Sequence, residues 1–163
     1  MPRDQKRISD SRFTLSALMG PQNANSFGNV HGGVIMKMVD EAGALVAMRH
    51  ARAPVVTVAI DSMSFMKPIF VGSLVMCEAE LTYVGNTSME VRVQVRTENP
   101  LSGETTLTNT AYLVYVALGD DGKPTTVPEL MYETPEQKLR ALQAQERQAY
   151  RKRQREQDTV PLP

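Results

Sequence analysis

The spacing of apolar residues changes once along this chain. Between Gly32 and Ala53, small and apolar residues recur three and four apart, which is the period of a helix. From Pro54 onward the period is two. Ahead of the helix, Arg12 to Leu18 alternates weakly and predicts a first strand, punctuated by Gly20-Pro21. Residues 22–29 are rich in Asn, Ser and Gly and read as a loop. The helix should begin near Gly32 and end by about Ala53, because Pro54 disfavours helical geometry in the residue before it. Val55 to Met66 is β-branched and apolar, and Val75, Cys77, Ala79, Leu81 and Tyr83 alternate with Glu78, Glu80 and Thr82. Met89, Val91, Val93 and Val95 alternate with Glu90, Arg92, Gln94 and Arg96, which gives one face to a core and one to water or a neighbour. Gly85-Asn86 supplies a hairpin turn and Asn99 to Gly103 the next. A last strand runs from about Glu104 to Leu118, where Gly119 to Pro124 stops it. Strand, helix and four strands with short connections predict an α+β fold, an antiparallel sheet curled around one long helix.

Three zones follow from this pattern: a flexible leader over 1–10, one domain over 11–130, and a charged extension over 131–163. The extension holds seven basic and four acidic residues between Glu136 and Asp158, and it reads as a solvated helix that frays into Pro161-Leu162-Pro163. The 163 residues carry 18 basic and 18 acidic side chains, so nothing in the net charge directs the protein to nucleic acid or to an anionic membrane. Within the extension, the basic run leaves contact with an anionic ligand open. Cys77, the single cysteine, reads as a reduced core residue of an intracellular protein. The charged amino terminus is followed by no apolar signal segment, and no run approaches bilayer length, so the compartment expected is the cytoplasm. His31 and His50 stand nineteen positions apart, which predicts no metal site.

Asp40 is the chemical anomaly. It shares a helical face with Met36, Gly43 and Ala47, which points it inward, whereas Glu41 pairs with Lys37 as an exposed ion pair. A carboxylate turned toward an apolar interior costs free energy unless it is paired or hydrogen-bonded. The other polar cluster, Asn23, Asn25, Ser26, Asn29 and His31, surrounds the start of the helix. There Gly32-Gly33 presents unpaired N–H groups and the positive end of the dipole, a seat for an oxyanion. A rise of ~1.5 Å per residue separates Asp40 from that seat by about 12 Å, too far for both to hold one carbonyl. Two copies with antiparallel helices side by side remove the difficulty, so the active unit expected is at least a homodimer with Asp40 of one subunit facing Asn29 and Gly33 of the other.

Gly28-Asn29-Val30-His31-Gly32-Gly33, Met36-Lys37-Met38-Val39-Asp40-Glu41-Ala42-Gly43 and Asp61-Ser62-Met63-Ser64-Phe65-Met66-Lys67-Pro68 together resemble the hotdog-fold acyl-CoA thioesterases. The branch they resemble holds the cytosolic, brain-type acyl-CoA hydrolases and their single-domain bacterial relatives. The resemblance spans roughly Phe13 to Leu130. It implies a sheet wrapped around a helix, a trimer of dimers, hydrolysis of acyl-CoA, and a catalytic pair at Asn29 and Asp40 contributed by different subunits. It also implies contacts to substrate or CoA from His31, Gly32, Ser62, Ser64, Lys67 and the hairpin Gly85, Asn86, Thr87 and Ser88. In the expected reaction the Gly33 N–H polarises the carbonyl, Asp40 acts as general base or as nucleophile, and Asn29 orients water or carbonyl. No metal or cofactor is called for beyond the coenzyme A of the substrate. Two alternatives remain: an acyl-CoA-binding regulatory module without turnover, and a hydroxyacyl-thioester dehydratase acting through His31. The first lacks a helix-turn-helix pattern in leader or tail. The second lacks the proline-glycine pattern of such dehydratases.

Overall fold

A computed structural model describes residues 3–158; the Pro161-Leu162-Pro163 end, expected to fray, lies outside them. In chain order the elements are β1 (Gln5–Arg7), β2 (Phe13–Leu18), α1 (Gly32–Ala51), β3 (Val55–Met63), β4 (Leu74–Val84), β5 (Ser88–Glu98), β6 (Thr105–Ala117), β7 (Glu129–Met131) and α2 (Pro135–Asp158). Five strands form one antiparallel sheet in the order β2-β4-β5-β6-β3. Helix α1 crosses its inner face, as the hotdog arrangement requires. Among the described residues, no helix is long and apolar enough to cross a membrane.

The core lies between α1 and the inner face. Val75, Cys77, Ala79 and Leu81 of β4 and Met89, Val91, Val93 and Val95 of β5 are fully buried there, as their alternation predicts. Each such aliphatic side chain contributes about 1.5–3 kcal/mol of transfer free energy. Tyr83 departs from the pattern. Thr82 is an extra residue in the β4–β5 ladder, so Leu81 opposes Val91 while Tyr83 opposes Glu90, and the bulge turns Tyr83 to the outer face.

The buried stripe of α1 is Ile35, Met38, Val39, Ala42, Gly43, Val46, Ala47 and His50. The inward face expected from Met36, Asp40, Gly43 and Ala47 is therefore rotated. Gly43 and Ala47 are buried, but Met36 is exposed and Asp40 is half-buried at the margin. Packing against a twisted sheet chose the wider apolar stripe over the narrow one that contains the carboxylate. Glu41 and Lys37 form the expected surface pair at 3.3 Å. The helix ends two residues earlier than Ala53, with Arg52 in the left-handed region as its cap.

Both flanks differ from expectation. The leader, expected to be flexible, forms β1 and pairs in parallel with β7. Arg3 donates to Glu129 and to the Gly85 carbonyl, and Lys6 donates to the His50 carbonyl. These anchors are polar, so hydrophobic periodicity carries no trace of them. The extension is helical as expected, yet it is not solvated all round. Ala141 and Ala144 of α2 are buried, and Arg140, Arg147 and Arg151 are spent on Glu80, Glu90 and Asp61 of the outer face.

Candidate active site

The loop before α1 is held by its own backbone and side chains. Oδ1 of Asn25 accepts from the N–H of Phe27 at 2.9 Å and of Asn29 at 3.2 Å, while the Asn25 N–H donates to the Asn29 carbonyl at 2.7 Å. Gly28 sits between them at φ +82°, a conformation that favours glycine. The Val30 N–H donates to the Ile69 carbonyl and ties the loop to the segment after β3. Around this tie is a cleft of about 300 Å³ lined by Asn25, Asn29, Val30, Gly32, Ile35, Phe65, Lys67, Pro68 and Ile69. Three of the residues picked from the sequence, Asn29, Gly32 and Lys67, are thus brought together in one chain.

His31 is the N-cap of α1. Its Nδ1 accepts from the Gly33 N–H at 2.9 Å. The donor expected to face an oxyanion is therefore engaged by a neighbouring imidazole, and His31 has a structural task. Other candidates lie elsewhere. Ser62 lines a groove of about 880 Å³ between β3 and α2, and Ser88 another between β5, β6 and α2. Ser64 uses its carbonyl to accept from Asn109 Nδ2 at 2.9 Å. Gly85, Asn86 and Thr87 offer carbonyls that are taken by Arg3, Val127 and Ala117.

Asp40 occupies a defined acceptor position near the middle of α1. Thr57 Oγ1 of β3 donates to Asp40 Oδ1 at 2.8 Å. The Tyr115 hydroxyl of β6 donates to the Asp40 carbonyl at 2.9 Å and lies 3.3 Å from Oδ1. Tyr115 is fully buried, and burial, reinforced by the Asp40 charge and hydrogen bond, pushes its phenol above the ordinary range, so it remains a donor. Gly43 makes room for it: a methyl there would fall 3.0 Å from two ring carbons and nearer still to the hydroxyl. Asp40 Oδ2 has no hydrogen-bond partner among the described residues and is free to accept from water.

Thr57 and Tyr115 escaped the reading of the sequence, since each sits in an ordinary strand pattern. The nearest signal was Gly43, one turn after Asp40 on a helix that otherwise favours alanine. Cys77 is buried with its thiol pushed up to about 12, an inert core group.

Strand β3 is an edge of the sheet. It leaves Val56, Val58 and Ile60 exposed at 42 %, 42 % and 44 %, and Thr57 of the same strand touches Asp40. An edge strand that exposes three apolar side chains and, among the described residues, pairs on one side only is a template for pairing with another chain.

Comparison with known proteins places these features in context. The Thioesterase superfamily profile matches residues 27–104. The cytosolic acyl coenzyme A thioester hydrolase of Rattus norvegicus is 34 % identical over 158 residues, covering 96 % of this chain and 42 % of that protein, so the chain spans about two fifths of the mammalian relative. An uncharacterized acyl-CoA thioester hydrolase of Bacillus subtilis is 37 % identical over 128 residues, 78 % of this chain and 74 % of that one. An apo-hexameric acyl-CoA thioesterase superposes with a TM-score of 0.89 at 36 % identity, covering 97 % and 99 % of the two chains. The acyl-CoA hydrolase of Staphylococcus aureus, solved with butyryl coenzyme A, coenzyme A and coenzyme A disulfide, superposes at 0.87 with 36 % identity and 94 % coverage of each chain. That enzyme has also been solved with alanine in place of an aspartate, an asparagine fifteen positions before it, and a threonine seventeen positions after it.

Proposed function

The chain belongs to the thioesterase superfamily, and from that premise we propose that it hydrolyses acyl-CoA thioesters to free fatty acid and coenzyme A in a site shared by two copies. The observation that carries this reading is the Asp40 carboxylate. It is held by Thr57 and Tyr115 with one oxygen unspent, beside an apolar edge strand that calls for a partner. Pairing of two β3 edges brings the start of one α1 toward the middle of the other, across the ~12 Å that a single helix cannot bridge. The hexameric thioesterase with the same fold supports assembly as a trimer of such dimers.

In this mechanism Asp40 removes a proton from water, whose oxygen adds to the thioester carbonyl. The resulting oxyanion is held at the amino end of the partner's α1, where it takes the place of the imidazole of His31 as acceptor for Gly33 and adds the Gly32 N–H. Collapse breaks the carbon–sulfur bond, and the proton on Asp40 passes to the departing thiolate. The reaction calls for no metal or further cofactor. Tyr115 and Thr57 fix the carboxylate so that Oδ2 addresses the water.

Asn25 and Asn29 line the same cleft as the amino end of α1 and orient carbonyl or water. Asn25 lies fifteen positions before Asp40, and Thr57 lies seventeen after it, the spacings of the residues replaced in the Staphylococcus aureus enzyme. Oδ1 of Asn25 is committed to the loop, which leaves its amide N–H groups as donors. In this reading Lys67 of the same cleft meets a CoA phosphate, while Ser62, Ser64 and the Gly85–Ser88 hairpin are not part of the lining of that cleft. The cytosolic hydrolases of mammals support a cytoplasmic setting. The test is release of free thiol from a series of acyl-CoAs. Asp40→Asn should keep the oligomer and lower kcat by about 10²–10⁴-fold, and turnover near that of the native chain would refute the assignment.

A further inference from the structure

Strand β3 links the two helices through opposite faces of the sheet. Thr57 faces inward to Asp40 on α1, and Asp61, four residues on, faces outward to Arg151 on α2. In a regular strand, residues four apart share a face. A bulge at Val58 changes this, and a second follows at Asp61. Thr57 opposes Tyr115 and Ala59 opposes Val114, leaving Val58 extra; Ile60 opposes Leu113 and Ser62 opposes Tyr112, leaving Asp61 extra. A bulged residue is unpaired and the ladder around it is broken, so between Thr57 and Ser62 only Ala59 and Ile60 keep β3 in register with β6, its single neighbour within one copy of the chain.

Side chains supply what the ladder lacks. Asp61 and Arg151 pair with side-chain exposures of only 13 % and 17 %, and the same guanidinium lies 3.5 Å from Glu90 Oε2 of β5. Arg147, one turn earlier, holds Glu90 through two hydrogen bonds and stacks on Tyr112, but it makes no bond to β3. The two arginines therefore divide the work: Arg147 docks α2 on the sheet, and Arg151 ties the edge strand to that docked helix.

We propose that Arg151 is a positioning residue for hydrolysis: by holding Asp61 at the second bulge of β3 it sets the place of Thr57, and through Thr57 the direction of the Asp40 carboxylate. This rests on the hydrolytic reading of Asp40. It also assigns the charged carboxy-terminal helix a task in the active site that it does not touch.

The experiment measures kcat and KM for acyl-CoA hydrolysis by the full-length oligomer, with thermal midpoint and assembly size followed in parallel. Arg151→Ala and Asp61→Asn should lower kcat about tenfold with KM changed by less than about twofold, and Arg151→Lys should recover most of the loss. Arg147→Ala should lower the thermal midpoint at least as far while leaving kcat within about twofold. Native kcat in Arg151→Ala, or an equal fall of kcat in Arg147→Ala and Arg151→Ala, would overturn the proposal, the latter by reducing it to general docking of α2. Asp40→Asn is the control for the underlying reading. If it is inactive while Arg151→Ala is fully active, positioning alone fails; if it retains turnover, the hydrolytic reading fails first.

Discussion

The two faces of the five-stranded sheet solve the problem of buried titratable groups in opposite ways. On the inner face, under α1, such groups are kept neutral: the Cys77 thiol and Tyr115 phenol are pushed up by burial, and His50 is held below its ordinary value. On the outer face, under α2, they are paired with side chains of opposite charge: Glu90, 2 % exposed, receives Arg147, Arg151 and Thr82, and Glu80 receives Arg12, Arg92 and Arg140. Asp40 obeys neither rule. It stands at the border of the neutral face with hydroxyl partners and, among the described residues, no cation bonded to it.

Breaking the outer face should cost most. Glu90→Ala leaves Arg147 and Arg151 without their shared carboxylate, and removal of one member of a buried ionic group costs about 3–5 kcal/mol. Chemical denaturation should show this as a lower midpoint, and proteolysis should cut α2 first. If stability is unchanged, the charges of the outer face are solvated and the contrast between the faces disappears.

The inner face should yield to volume. Gly43→Ala drives a methyl into the Tyr115 ring and should cost about 1–3 kcal/mol by overpacking. It should also lower kcat, since Tyr115 holds the Asp40 turn of the helix. A variant with native stability and turnover would show that Tyr115 can move aside without consequence.

The smallest effect is a slope with pH. His50 Nε2 lies 2.9 Å from the Pro128 carbonyl, which it can meet only as a donor, and its Nδ1 has no partner among the described residues. Burial, the main cause, lowers its proton affinity below the ordinary 6.5, with the nearby Lys6 charge adding to it. Below 6.5 the unfolded chain therefore binds the proton that the folded chain refuses. The contribution is present above 6.5 and is lost as pH falls through that value toward the lower folded one. Thermal melts between pH 5 and 8 should show the fall in the native protein and a shallower one in His50→Gln. Identical slopes would place a charged imidazole on the neutral face.

How much was legible in advance follows from the kind of signal each part leaves. The α1 segment, the β5 alternation and the hairpin turn at Gly85-Asn86 were readable because their periods and turn residues lie within a few positions of one another. Asp40 was readable as a misfit. Thr57 and Tyr115 were not, because contacts seventeen and seventy-five positions away from Asp40 depend on strand order and register. The bulges at Val58, Asp61 and Thr82 were equally silent, since an inserted residue in an apolar or mixed strand alters the facing of its neighbours without altering composition. Nor did the patterning show that His31 would take the Gly33 N–H, or that the arginines of α2 would find carboxylates on a sheet face that reads as open to water or a neighbour.

Local chemistry thus settled the two helices and the five strands of the main sheet, that this sheet has an apolar side, and that one carboxylate is out of place on its helix. Those outcomes rest on interactions between residues a turn or a pleat apart, which any chain with this order of side chains would make. The tertiary structure decided how far that carboxylate turns inward, which hydroxyls hold it, and where β3 reverses its facing. These depend on how a twisted sheet meets a helix on each side, and that geometry exists only after segments far apart in the chain have packed together.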